Sequence, residues 1–197
     1  SAIEPLLRYH RDRFRGGETI APGTPRYELG LQQKEDVLHR LLEVWATGEA
    51  AASLGFAAAR LFDELDPVER EKNRILAEQG TGKGMSAYRA MRKLEPDAVE
   101  AAKARRQSDD PLIQYLLLDS VANVLCPATK LWNTGHGANE LREAVSLMGG
   151  YGITEDCPGF LVYKWTDAQL EATYEGPEAV QRRQLSLTMT NDVFLAQ

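Results

Sequence analysis

The chain has 197 residues, 43% apolar and 26% charged, with a formal net charge of −6. That length supports a core burying about 70% of the unfolded surface, and the composition is that of an ordinary globular protein. The acidic balance argues against a nucleic-acid binder, which needs clustered Lys and Arg; the basic groups at Arg8 to Arg15 and Lys103 to Arg106 read as solvated faces.

Ile3, Leu6, Leu7, His10 and Phe14 recur every three or four residues and predict a short amphipathic helix. The chain opens on this helix as though already within a longer protein. Gly16-Gly17 ends it, and Pro22 to Pro25 form a loop. A second helix is predicted from about Gln33 to Asp63, where Val37, Leu41, Val44, Leu54, Ala58 and Phe62 keep helical spacing. At ~1.5 Å per residue it is about 45 Å long, which calls for equally long packing partners and hence a bundle.

Residues 66–110 carry Pro67, Pro96, many charges and Gly80-Thr-Gly-Lys-Gly84. They read as an excursion inserted in the bundle, with short helices near 67–79 and 96–107. A third long helix follows Pro111 to about Met148, bent at Pro127 and loosened at Gly135-His-Gly137. Gly149-Gly150 stops it. After a loop to about Val162, a last helix starts near Gly176-Pro177, where proline suits a first turn, and ends near Thr190. β-Branched alternation is nearly absent, so the class is all-α: one helical-bundle domain over 1–197.

Cys126 and Cys157 form no CxxC pair and suit a reducing compartment. No run of 18 apolar residues occurs, so no membrane span is expected. Gly80 to Gly84 lacks the spacing of a phosphate loop. Metal binding is not expected either: there is no Glu-x-x-His, and His10, His39 and His136 are scattered. His39 is expected at a core edge, and Trp45, Trp132 and Trp165 in packing.

One run carries more. Gly149-Gly-Tyr-Gly152 alone reads as a helix C-cap, and Glu175 alone as a helix N-terminal acid. Asp167 is followed eight residues later by Glu175-Gly176, then by Gln181-Arg182. The order of these pieces is far more specific than any one of them.

In that order the chain resembles the C-terminal domain of the acyl-CoA dehydrogenases, from residue 1 to about 190 apart from 66–110. The resemblance implies a four-helix bundle, FAD as cofactor, and Glu175, in Tyr-Glu-Gly, as the catalytic base. Arg26 with Leu29-Gly30 is similar to the family's Arg-x-x-Phe-Gly turn, whose arginine contacts the FAD pyrophosphate. Gly149 and Gly150 match glycines that approach the FAD of a neighbouring subunit, and Gly176 lets the backbone turn beside the base. Four positions depart from the pattern: Leu29 stands for Phe, Ser146 for a Gln, Thr166 for the Arg of an Arg-Asp pair, and Pro177 for Thr or Ser.

The resemblance further implies an acyl-CoA substrate, an electron-transfer flavoprotein as acceptor and a homo-oligomer, dimer or tetramer. The setting it implies is fatty acid metabolism in the cytoplasm or the mitochondrial matrix. The chain lacks the family's N-terminal helical and central β domains, so it is expected to be inactive alone. A non-catalytic assembly module of the same fold is the alternative.

Overall fold

A computed structural model of the chain describes residues 2–13, 30–104, 108–154 and 160–197. Among these residues every regular element is helical and no strand occurs, as the missing two-residue alternation foretells.

Helix α1, Ile3–Arg11, buries Pro5, Leu6 and His10. His10 keeps its place through a hydrogen bond from Nδ1 to the Leu6 carbonyl, 2.7 Å. A 3-10 turn at Leu31–Gln33 leads into α2, Glu35–Glu78, 44 residues long. This corrects the predicted stop near Asp63: α2 runs through Pro67, so 66–78 extend the helix instead of opening an excursion. Ion pairs one turn apart carry it past the proline, among them Arg60–Glu64 (3.1 Å) and Asp66–Arg70 (2.6 Å). Leu65 and Leu76 anchor the far end in the core.

The remaining elements are α3 (Gly84–Arg92), α4 (Glu95–Lys103), α5 (Pro111–Leu131), a π-helical turn (Trp132–Gly137), α6 (Ala138–Leu147), α7 (Gly150–Ile153), α8 (Phe160–Glu171), α9 (Glu178–Met189) and α10 (Asp192–Leu195). The loosening predicted at Gly135-His-Gly137 is the π turn, the usual form of one extra residue in a helix. Helix α8 begins at Phe160, inside the segment expected to be loop up to Val162. Helix α3 was not foreseen.

The chain divides into two compact units. The first comprises Ser1–Ser53 and Leu131–Pro177. Its core joins Leu6, Leu41, Val44, Ala144, Met148 and Leu161, with α6 lying along α8 and α1 touching α6. Arg40 and Glu143 form a half-buried ion pair there. The second comprises Leu54–Lys130 and Glu178–Gln197, where Ala98, Ile113 and Val193 form a core and α4 packs on α10.

Several side-chain placements differ from expectation. His39 is exposed, and Trp45 and Trp132 are 51% and 38% exposed, so neither tryptophan is an interior anchor. Leu38, Leu42 and Trp45 share one outward face of α2. The helical stretch Pro111–Leu147 is long and apolar enough, by length and mean hydropathy alone, to cross a bilayer. That is a weak sign, because the core helix of a bundle passes the same test; no single uninterrupted apolar run underlies it.

The second unit holds a charged cluster that the sequence does not announce. Tyr115 donates from its hydroxyl to Asp119 Oδ1, 3.1 Å, and the Lys72 ammonium lies 3.5 Å from the Tyr115 ring centroid. Lys72 also reaches Glu69 at 3.3 Å. Burial raises the Asp119 carboxyl above its usual range, against the Tyr115 bond and the Lys72 charge, which lower it. An acid whose folded pKa is raised holds its proton more tightly when folded. Its ionisation therefore removes stability as pH rises from the ordinary Asp range through the raised value. Asp119→Asn keeps an acceptor for Tyr115 without the buried charge. The variant should melt no lower than wild type at neutral pH and lose any advantage as pH falls toward about 4; thermal melts across that range check it.

Candidate active site

Two turns of the first unit hold the residues singled out in the sequence. At the end of α6, Met148 N donates to Val145 O (3.2 Å) and Gly149 N to Ser146 O (3.0 Å), closing the helix. Gly149 then takes φ 57°, ψ −139°, a backbone region that a side chain disfavours. Gly152 comes back under the helix so closely that a Cβ there would collide with the Val145 carbonyl. The Gly-Gly-x-Gly spacing thus has two separate causes, a reversed turn at 149 and a tight approach at 152.

Gly149 and Gly150 are exposed, and a Cβ at either would meet nothing within 4 Å. A flat ligand can therefore reach this backbone. Gly149→Ala should cost about 1–3 kcal/mol through backbone strain, while Gly150→Ala, with no positive φ, should be near neutral; urea denaturation of the two variants measures the difference.

The second turn joins α8 to α9. Thr173 closes α8, its N and Oγ1 both donating to Leu170 O at 2.9 and 2.7 Å. Glu175 follows at φ 53° and Gly176 at φ 98°. Among the described residues Glu175 alone combines a side chain with positive φ, a conformation costing roughly 1–2 kcal/mol for an L-residue. Pro177 precedes the first turn of α9, so that position offers no backbone N–H.

Glu175 is exposed and lines none of the clefts described below. Thr166 turns its hydroxyl back to Val162 O (2.9 Å), and Thr166, Asp167 and Ser146 are exposed. Arg26 and Leu29 lie outside the described residues, as does Cys157. The structure therefore brings Glu175 and Gly176 together in one turn, and Gly149 and Gly150 in another.

Sequence reasoning missed a cleft in this unit of about 560 Å³. It lies among α2, the π turn, α6 and α8, with Trp45, Thr47, Glu49, Asn133, Glu140 and Glu171 in its wall. Thr47 Oγ1 and His136 Nε2 are 3.3 Å apart beside it, and Trp132 meets the His136 ring edge-on. Burial raises the Glu140 carboxyl above its usual range, only partly opposed by His136. No Lys or Arg lines this cleft, so the phosphates of a coenzyme find no counter-charge there. A second, smaller cleft of about 200 Å³ is lined by Glu4, Leu7, Arg8, Arg11 and Asp12. No cluster of His, Cys, Asp and Glu among the described residues could hold a metal ion.

Residues 119–189 match the family model described as acyl-CoA dehydrogenase, C-terminal domain. The matched span includes the π turn, the glycine turn and the Tyr-Glu-Gly turn, so this part of the chain is similar to the acyl-CoA dehydrogenase C-terminal domain. It is under half of the chain, narrower than the resemblance read over 1–190. The family implies an oxidoreductase and is generally one of flavoproteins. Comparisons with curated proteins and with solved structures gave no match.

The geometry bears on FAD in two ways. The open backbone at Gly149 and Gly150 suits the approach of a dinucleotide. Among the described residues, Glu175 lines neither of these two clefts.

Proposed function

We propose that this chain is the helical C-terminal part of an FAD-dependent acyl-CoA dehydrogenase, with Glu175 as the base that removes the α-proton of an acyl-CoA thioester. One observation supports this above the others. In the segment that matches the family, the acid of Tyr-Glu-Gly holds a left-handed backbone conformation beside Gly176. Such strain persists where the side chain's position matters more than its backbone preference.

In this reading Gly149 and Gly150 offer backbone to FAD, Gly176 leaves room beside the base, and Arg26 with Leu29 serves the pyrophosphate side. Bound FAD would supply the acceptor for the β-hydrogen as hydride. Glu175 takes the proton, which requires it within about 3 Å of the α-carbon's hydrogen and partly desolvated by substrate and neighbouring protein. Because Glu175 is exposed here, that desolvation has to come from further domains or a second subunit. The outward face of Leu38, Leu42 and Trp45 suits a homo-oligomer, a dimer or tetramer, since such interfaces resemble a core cut in half. Electrons would pass to an electron-transfer flavoprotein, in the cytoplasm or the mitochondrial matrix.

The exposure of Glu175 also favours a second reading, in which the bundle assembles subunits and performs no chemistry; Ser146, Thr166 and Pro177 are consistent with it. Anaerobic flavin bleaching by acyl-CoA in the intact protein, with and without Glu175→Gln, separates the two. Loss of bleaching in the variant supports the base. Equal bleaching removes it.

A further inference from the structure

Helix α3, Gly84–Arg92, buries none of its residues, yet both of its ends are tied down. At its start Thr81 N donates to Leu76 O (2.9 Å) and Ser86 Oγ to Lys83 O (2.6 Å). At its end Leu94 N donates to Met91 O (2.9 Å), and Leu94 packs on the core of Ala98, Ile113 and Val193. The helix is held in place while its outer face stays bare. Met85, Tyr88, Arg89 and Arg92 fall at the spacing of a single helix face. All four are exposed, Met85 by 63% and Tyr88 by 55%. Ala87, Ala90 and Met91, on the opposite side, are half-buried.

The charges around this face are of one sign. From Gly80 to Leu94 the chain carries Lys83, Arg89, Arg92 and Lys93 and no acidic residue, although its net charge is −6. On α2, by contrast, Arg60, Arg70 and Arg74 each meet a carboxylate one turn away. Among the described residues no carboxylate pairs with Lys83, Arg89, Arg92 or Lys93. Arg92 Nη1 donates instead to the Tyr88 hydroxyl, 3.1 Å. Two exposed apolar side chains are thus rimmed by cations that the protein itself does not neutralise.

We propose that this face of α3 docks on an anionic membrane surface, with Met85 and Tyr88 entering the headgroup layer and the four cations meeting lipid phosphates. A helix that lies on a bilayer combines an apolar stripe with Lys and Arg in this way, and tyrosine suits the headgroup level. A lone outward helix face is a ridge, to which a fluid surface can conform. An acidic peptide would need a groove, and the one beside Arg92, of about 590 Å³, is lined by Glu95, Glu100 and Asp192 as well as Lys103. It offers such a peptide no net attraction. The assignment goes beyond the dehydrogenase reading and does not rest on it.

The test is co-sedimentation of the intact protein with phosphatidylcholine vesicles, with and without about 30% phosphatidylglycerol, over a range of salt. Each cation near an anionic surface strengthens binding about fivefold. Binding to the anionic vesicles should therefore exceed binding to neutral ones by at least about tenfold and weaken as salt rises. The pair Arg89→Gln and Arg92→Gln together should weaken it at least about tenfold. Met85→Ser with Tyr88→Ser, which leaves the charge unchanged, should weaken it several-fold. Arg60→Gln, at an exposed arginine already paired with Glu64, should bind as wild type does. Equal binding to neutral and anionic vesicles, no binding to either, or undiminished binding by the double arginine variant overturns the proposal. Should that variant fail to fold, Lys83→Gln with Lys93→Gln spares the Arg92–Tyr88 bond and must weaken binding about tenfold; unchanged binding is equally decisive against it. A protein that ignores vesicles but binds polyglutamate through Arg89 and Arg92 also overturns it, in favour of an acidic protein partner. Glu175→Gln should bind vesicles as wild type does, so failure here and failure of the base assignment are read separately.

Discussion

In the intact protein, Glu175→Gln should slow reduction of the flavin by acyl-CoA by about 1,000-fold, the middle of the range for loss of a general base. The amide matches the carboxylate in size and can still accept a hydrogen bond, but it cannot take a proton at neutral pH. Stopped-flow absorbance under anaerobic conditions measures the rate, and a loss below about tenfold would remove Glu175 from the reaction. The backbone supplies a companion expectation. Glu175 holds φ 53°, so Glu175→Gly relieves about 1–2 kcal/mol of left-handed strain and adds about 0.5–1 kcal/mol of unfolded-state freedom. Its stability should therefore stay near wild type while its activity disappears. A residue kept for folding would show the opposite split.

The second large effect is on stability. Leu161 is 1% exposed on α8 and belongs to the core cluster with Leu6, Leu41, Ala144 and Met148. Leu161→Ala removes three buried carbons and leaves a cavity between packed helices, which should cost about 3 kcal/mol, within the 2–5 usual for such sites. Leu170 lies on the same helix but is 66% exposed, and Leu170→Ala should change stability by less than about 0.5 kcal/mol. Denaturant titration of both variants, compared at equal m-value, tests whether α8 faces the core as described. A small loss at Leu161 would mean that the helix is packed the other way round.

The helical class and several element ends were readable from residues alone. Helix α5 opens at Pro111, the π turn falls on Gly135-His-Gly137, and α9 begins just after Gly176-Pro177. These are places where glycine and proline act through the local backbone, and local rules suffice. They do not suffice at Pro67, where surrounding ion pairs and the burial of Leu65 and Leu76 keep α2 intact. Nor could spacing tell that Trp45 and His39 face outward, because a helix shows its apolar stripe without showing which partner covers it.

The site divides in the same way. Glycines at 149 and 152 and the Glu-Gly pair at 175 and 176 stand out by spacing, and each proves to need its backbone shape. The strain at Glu175 and the Lys72–Tyr115–Asp119 cluster arise from torsions, or from contacts between distant parts of a unit, and leave no mark in the residue order.

Adding acyl-CoA thioesters of graded chain length, without oxygen, to the intact purified protein probes the dehydrogenase assignment most directly. The protein should retain flavin through purification, and at least one thioester should bleach its absorbance within a turnover. A protein that never holds flavin, or holds it unchanged before every thioester, would contradict the assignment.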